Sequence, residues 1–372
     1  MRIFSILVLV GMTFFSCTSN QNKEGSNKEL QTQKIPMFIG TYTDQESEGI
    51  YQLKFDKATG EMSDLKLMAT SQGPSFLAIS KNQLFAISEK NQGTLSSYQI
   101  ADDTLQLINE SSTFGNHPCY VGVDPSGMLA AVANYRSGDG AVIKILSDGS
   151  VGDTLFTYQH TGTGPNTNRQ EAAHAHCSVF SPDGRFMYVV DLGIDRVMGY
   201  PTSGENVGTG FVALQLDPGD GPRHIDFHPT EPMVFVINEL SNTVVSAAVV
   251  PVSGVFALID KQSTLPADFT EHSQCADIHV SNDGQFLYAS NRGHNSIAVY
   301  KVSTEGGLEL VQIESVRGDW PRNFTLSPNE KFLLVANQNS GNIVVFQRDA
   351  NSGKLTFAEQ EFKMSKPVCL KF

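Results

Sequence analysis

One pattern recurs six times along the chain and restricts its fold more than any other feature. Each copy has a short apolar strand, a tight polar turn, and a second apolar strand that closes on a small or polar residue. The copies are GPSFLAISKNQLFAISE (73–89), HPCYVGVDPSGMLAAVAN (117–134), AHCSVFSPDGRFMYVVD (175–191), GPRHIDFHPTEPMVFVIN (221–238), CADIHVSNDGQFLYASN (275–291) and WPRNFTLSPNEKFLLVAN (320–337). Turns such as Asp124-Pro125-Ser126-Gly127 and Ser181-Pro182-Asp183-Gly184 supply the preset φ of proline and the left-handed position of glycine that a hairpin needs.

The second strands end at Glu89, Asn134, Asp191, Asn238, Asn291 and Asn337, and a related strand, MFIGT, ends at Thr41. Successive ends lie 45 to 57 residues apart. Short strands repeating at roughly 40–50 residues are the spacing of propeller blades, each a four-stranded sheet. Further strand-like runs follow, such as 141–146, 242–250, 296–302 and 342–347, and fit third strands. No segment sustains a 3.6-residue apolar period, which disfavours a helical solenoid. Seven second strands predict an all-β, seven-bladed β-propeller over residues 36–372, with no residues left for another domain. The first repeat lacks an inner strand, whereas the chain ends in KPVCLKF (366–372). That tail is expected to pair with the N-terminal strands and close the ring, removing free sheet edges.

Ahead of this body, one arginine, an apolar run from Ile3 to Phe15, and Ser16-Cys17 have the layout of a secretory leader. The small residue before Cys17 resembles a bacterial lipobox, although Phe14 stands where such boxes carry leucine. Residues 1–16 thus read as a signal peptide of the lipoprotein type, Cys17 as the lipidated residue, and 17–35 as a polar flexible tether. The expected location is outside the cytoplasm, periplasmic or anchored at the outer membrane, and cytoplasmic if the leader is an ordinary terminus. Cys119, Cys177, Cys275 and Cys369 are widely spaced and fit small buried thiols better than a metal knuckle or disulfide framework. With 26 Lys and Arg against 39 Asp and Glu, the chain carries a formal charge of −13. A field of that sign repels phosphate backbones, so nucleic acid is not an expected partner. No apolar run reaches the roughly 18 residues of a membrane span, which leaves the lipid as the only expected membrane attachment.

Because the two strands of each hairpin are antiparallel, the start of the first and the end of the second lie at the same end of the blade. In a propeller that end is one mouth of the central channel. Aligning the copies on Ile79, Val123, Phe180, Phe227, Val280 and Leu326 places Ser75, Cys119, His176, Arg223, Ala276 and Arg322 at one equivalent position. The next position adds Tyr120, His224, Asp277 and Asn323, and the residues after the second strands are Lys90, Tyr135, Leu192, Glu239, Arg292 and Gln338. His176, Arg223, Glu239, Arg292 and Arg322 therefore gather at this mouth. Arginines in a concave site suit a carboxylate or phosphate through paired hydrogen bonds, and His and Glu can move protons. His174, His224, Asp277 and Arg322 are read as substrate-binding residues of this mouth. The alternative is that these ions pair with one another and only stiffen the funnel. His174 and His176 could both face a metal from one side of a strand, but no third soft ligand accompanies them, so neither metal nor cofactor is expected.

These segments, together with GTYT (40–43) and NEL (238–240), resemble the seven-bladed propeller lactonases, a family of bacterial 6-phosphogluconolactonases and the related carboxy-muconate cyclase. The resemblance implies metal-independent hydrolysis of a sugar-acid lactone carrying an acidic group. It carries the family's active-site pattern onto His176, Arg223, Glu239 and Arg292, with His174 as the alternate histidine and Arg322 as a looser match. Either Glu239 or His176 would serve as general base and the other as proton donor. Two other readings stay open: a non-catalytic propeller that binds acidic sugars, and a lactonising cyclase. By analogy with other closed propellers the chain is expected to be a monomer.

Overall fold

The computed structural model describes residues 34–372. The expected leader, the expected lipidation at Cys17 and the expected tether up to residue 33 lie outside the described residues. Lys34 and Ile35, read from sequence as the end of the tether, are instead strand: they pair with Asp56 and Phe55 at the start of Lys34–Thr41.

The described chain is all-β, with one 3-10 turn at Leu192–Ile194. Its strands form seven sheets in a ring, each an antiparallel meander. The inner strands are Leu77–Ser80, Pro118–Val123, Ala175–Phe180, Pro222–Phe227, Gln274–Val280, Pro321–Leu326 and Pro367–Lys371. The seventh comes from the C-terminus and pairs with the first strand of the chain, Phe38 opposite Lys371 and Ile39 opposite Leu370. The ring is thus closed by strands from both ends of the chain, as the sequence predicted.

The second strands explain why the repeat is so visible. Leu129–Asn134, Phe186–Asp191, Met233–Asn238 and Phe332–Asn337 are buried at every residue. Each is covered on both faces by neighbouring blades, so it reads as a continuous apolar run rather than an alternation. Tyr188 and Val190 of one blade pack with Val234 and Val236 of the next. At the closure, Met37 and Ile39 pack with Phe332 and Leu334. Each fully buried aliphatic side chain contributes about 1.5–3 kcal/mol relative to exposure, so the core of a propeller lies between blades. The hairpin turns are built alike: the amides of Phe186, Phe286 and Phe332 donate to Ser181 Oγ (3.1 Å), Ser281 Oγ (3.0 Å) and Ser327 Oγ (3.1 Å). Cys119, Cys177, Cys275 and Cys369 are buried free thiols, in line with the sequence reading.

Candidate active site

A local irregularity, repeated from blade to blade, builds the mouth of the channel. The ladder between inner and second strands skips a residue: from Pro118 to Tyr120, from Ala175 to Cys177, from Pro222 to His224 and from Pro321 to Asn323. The skipped residues are Cys119, His176, Arg223 and Arg322. A β-bulge of this kind leaves one residue out of the ladder and re-aims its side chain. The repeat thus turns one residue per blade toward the mouth, and in three blades that residue is a histidine or an arginine.

Glu239 is the hub. Its amide donates to Gly221 O (2.7 Å) and its carbonyl accepts from Cys275 N (3.1 Å), which fixes the residue just past Met233–Asn238. Gly221 has φ +58°, and a Cβ there would lie 2.4 Å from Leu240, so this bracing contact requires glycine. The Glu239 carboxylate, only 2 % exposed, meets three guanidiniums. Arg169 Nη2 lies 2.5 Å from Oε1, while Arg292 Nη2 and Arg223 Nε lie 2.8 and 3.1 Å from Oε2. Burial alone would raise its pKa, but Arg292, Arg169 and Arg223 outweigh burial and hold it at about 2.

The two buried arginines are fixed from behind. Arg223 Nη1 donates to Ala276 O (2.6 Å) and Arg292 Nη2 to Cys275 O (2.6 Å). The Arg292 guanidinium also lies 5.5 Å from the centre of the Trp320 ring. Trp320 adopts φ +68°, an uncommon conformation for a bulky residue, and is held by Asn295 Oδ1, which accepts from its amide (2.9 Å). Burial, followed by Arg292 and Arg322, pushes the Arg223 pKa down to about 9, which still leaves it charged at neutral pH. Arg322 stacks on Tyr42 at 5.2 Å and makes no ion pair among the described residues. Tyr42 in turn donates to Glu89 Oε2 (3.0 Å), which also accepts from Ser75 Oγ.

His176 lies within the same cluster. Its ring centre is 5.5 Å from that of Tyr135 and 5.3 Å from that of His224. Burial, then Arg223, His224 and the other arginines, holds its pKa well below the usual range, so the imidazole is neutral at pH 7. Its Nδ1 is buried without a hydrogen-bond partner, as is Arg292 Nε, while Arg223 Nε has only the Glu239 carboxylate. Buried polar atoms are normally satisfied, so the unpaired His176 and Arg292 nitrogens suit a mouth that takes a polar ligand.

The structure therefore brings together His176, Arg223, Glu239, Arg292 and Arg322. It places the other three predicted residues differently. His174 stacks on Tyr135 at 4.5 Å, and both ring nitrogens are engaged, Nδ1 with Tyr135 O (2.9 Å) and Nε2 with Glu171 (3.2 Å). His224 and Asp277, expected as substrate ligands at the mouth, sit beneath it. They line a separate cavity of about 380 Å³ toward the opposite mouth, with Phe76, Tyr120, His279 and Lys371. At the bulge the strict alternation of a strand is lost, and His224 stays beside the cup, its ring centre 5.3 Å from that of His176. His224 Nδ1 donates to Asp277 Oδ1 (2.8 Å), and its Nε2 lies 3.3 Å from Arg223 Nη1, positioned to accept. Asp277 also accepts from Asn323 Nδ2 (2.5 Å) and lies 3.1 Å from His279 Nε2. This pair braces Arg223.

Arg169, Tyr135, Trp320 and Tyr42 complete the mouth and were not singled out from sequence. Tyr135 stood among the residues that follow second strands, which was a usable signal. Arg169 comes from the connection between Val151–Gln159 and Ala175–Phe180, outside the repeat, and had none. Among the described residues no group of three His, Cys, Asp or Glu side chains is arranged to hold a metal ion.

The family described as lactonase, 7-bladed beta-propeller matches residues 36–372. The 6-phosphogluconolactonase of Bacillus subtilis is 40% identical over 341 residues, covering 90% of this chain and 97% of its own. The 6-phosphogluconolactonase of Formosa agariphila is 34% identical over 348 residues, covering 87% of this chain and 96% of its own. The solved structure of a periplasmic gluconolactonase from Pseudomonas aeruginosa superposes with a TM-score of 0.84 at 31% identity, covering 91% of this chain and 98% of that one.

Proposed function

The chain belongs to the seven-bladed β-propeller lactonase family, and from that premise we propose that it hydrolyses a sugar-acid lactone of the 6-phosphogluconolactone type in its arginine-lined cup. The observation that carries this reading is the convergence on one mouth of two buried, backbone-fixed guanidiniums and a buried imidazole with an unpaired nitrogen.

His176 is the group free to move a proton, because both Glu239 oxygens are taken by guanidiniums. In this reading His176 accepts a proton from water as the water oxygen bonds to the lactone carbonyl carbon. Arg223 and Arg292, fixed by backbone carbonyls, stabilise the oxyanion that forms. The ring C–O bond then breaks, and the imidazolium returns the proton to the leaving alkoxide. The product acid releases its own proton to solvent at neutral pH. Glu239 keeps the arginines charged and spaced, and its low basicity suits that task better than proton abstraction.

The test is hydrolysis of a panel of aldonolactones, phosphorylated and not, followed by acid release. The expected result is turnover that His176→Ala abolishes. Binding without turnover across the panel would favour a non-catalytic acidic-sugar propeller instead, and net ring closure from the open acid would favour a cyclase.

We also propose that the enzyme works as a monomer outside the cytoplasm, tethered through a lipid on Cys17, with no nucleic-acid partner. The leader sequence supports the location and the anchor, the periplasmic description of the Pseudomonas aeruginosa relative supports the location, and the net charge of −13 weighs against nucleic acid. Membrane fractionation of wild type and Cys17→Ala tests it: the variant should leave the membrane fraction, and equal partition would refute the anchor.

A further inference from the structure

Arg169 differs from the other arginines of the cup in every respect that matters for choosing a substrate. Arg223 and Arg322 stand at strand bulges and Arg292 ends a second strand, so the propeller itself dictates their positions. Arg169 rides on the connection that spans residues 160–174. That connection is not loose: Gln170 is fully buried, and its Nε2 donates to Leu192 O (2.9 Å) and Asp195 Oδ1 (2.7 Å). Gln170 N also donates to Asn166 O (2.6 Å), closing a tight turn. An anchored glutamine thus presents its neighbour, Arg169, over the cup.

The Arg169 guanidinium is the outermost of the four, with its side chain 33% exposed. Its partners are all side chains: Gln274 Oε1 (2.9 Å), Tyr135 Oη (3.3 Å) and Glu239 Oε1 (2.5 Å). Arg223 and Arg292 are pinned to backbone carbonyls, whereas Arg169 can exchange partners without disturbing a blade. The charges around it do not balance. Four guanidiniums face Glu239, Glu89 beside Tyr42, and the exposed Glu171, whose charge Arg169 feels, so positive charge stays in excess. A phosphate monoester carries about −1.5 to −2 at neutral pH and offers three acceptor oxygens, which a carboxylate does not match.

We propose that Arg169 is the specificity-determining ligand of this site, leaving Glu239 to grip a phosphate monoester on the lactone at the end remote from the ester that is cleaved. The inference rests on the lactonase reading and assigns recognition of the phosphate in that substrate to one residue. Glu239 holds Arg169 in position over the cup for that exchange.

The experiment compares wild type, Arg169→Ala and Arg169→Lys on 6-phosphogluconolactone and on unphosphorylated glucono-δ-lactone. Loss of a charge-assisted contact corresponds to about a 10- to 100-fold change. Arg169→Ala should therefore lower the ratio of kcat/KM for the phosphorylated over the plain lactone by about 10- to 100-fold. The loss should lie mainly in KM, with partial recovery in Arg169→Lys. A proportional loss on both lactones would make Arg169 a merely structural residue, and no loss on either would remove it from the site. Both outcomes overturn the proposal. If wild type hydrolyses neither lactone, the lactonase reading fails separately. Calorimetric binding of 6-phosphogluconate against gluconate to the same three proteins then decides the role of Arg169 by the same ratio.

Discussion

Replacing Glu239 by Gln removes one negative charge from between three guanidiniums and keeps the shape of the side chain. Glutamine imitates the protonated carboxyl, so the cost at neutral pH follows from how far the cup depresses the Glu239 pKa. The fall is from 4.5 to about 2. At about 1.36 kcal/mol per unit this corresponds to roughly 3 kcal/mol. Because the folded-state pKa lies below the unfolded one, the stabilisation is complete above about pH 4.5 and is lost as pH falls toward 2. For a body of this length, an unfolding entropy of about 2.1 cal/mol/K per residue converts that loss to about 4 °C in Tm. Thermal melts of wild type and Glu239→Gln between pH 3 and pH 8 measure it. The expected result is a gap of about 4 °C at pH 7 that shrinks by more than half at pH 3, as wild type converges on the variant. A gap that stays constant over this range would refute the charge argument, and so would a variant as stable as wild type at pH 7.

Three other outcomes follow from the same geometry. His176→Ala should lower kcat by roughly 10²- to 10⁴-fold while calorimetric affinity for the product acid stays within a few-fold, the signature of a lost proton carrier. Asp277→Asn should destabilise the fold by about 2 kcal/mol and lower kcat/KM about 10-fold by loosening His224 under Arg223. Thermal melts and steady-state kinetics measure the two effects, and His224→Asn should show a kinetic loss of similar size. Deleting Pro367–Phe372 unpairs Lys34–Thr41 and removes the buried Val368, Cys369 and Leu370. At about 1.5–3 kcal/mol for each large aliphatic side chain, plus an open sheet edge, the truncated chain should lose near-ultraviolet dichroism and self-associate on size exclusion.

The propeller was legible because its second strands are buried on both faces. Runs such as FMYVVD and FLLVAN are unambiguous where a half-exposed strand would be confused with loop, and their spacing counts the blades. The outer strands were less legible for the same reason: Leu355–Lys363 mixes buried, half-buried and exposed residues. The cup was legible where the repeat itself places the side chain. One alignment position gave His176, Arg223 and Arg322 because one bulge recurs there. The same alignment named His224 and Asp277, which line the cavity below the cup and reach it through Arg223 and His176, a depth that an alignment does not record. Arg169 belongs to a connection with no equivalent in other blades, so no internal comparison could reveal it. Trp320 was quoted as the first residue of a repeat, but its role depends on a positive φ that a tryptophan in sequence does not advertise.

The cup is cationic in an acidic protein, and that contrast bears on turnover. Burying like charges is unfavourable, and the depressed Arg223 pKa, which burial, Arg292 and Arg322 together cause, registers it. An arrangement of this kind binds an anion wherever one appears, including the carboxylate of the product, which carries a charge that the ester of the substrate lacks. Without a counterweight the site would favour product over transition state. Glu239 provides the counterweight from within the cup: it competes for Arg223 and Arg292 once the oxyanion has collapsed, and so favours release. What then distinguishes the transition state is position. The two guanidiniums are held by Ala276 O and Cys275 O at fixed points; in the proposed mechanism the oxyanion forms there beside His176, and differential binding at those points accelerates the reaction.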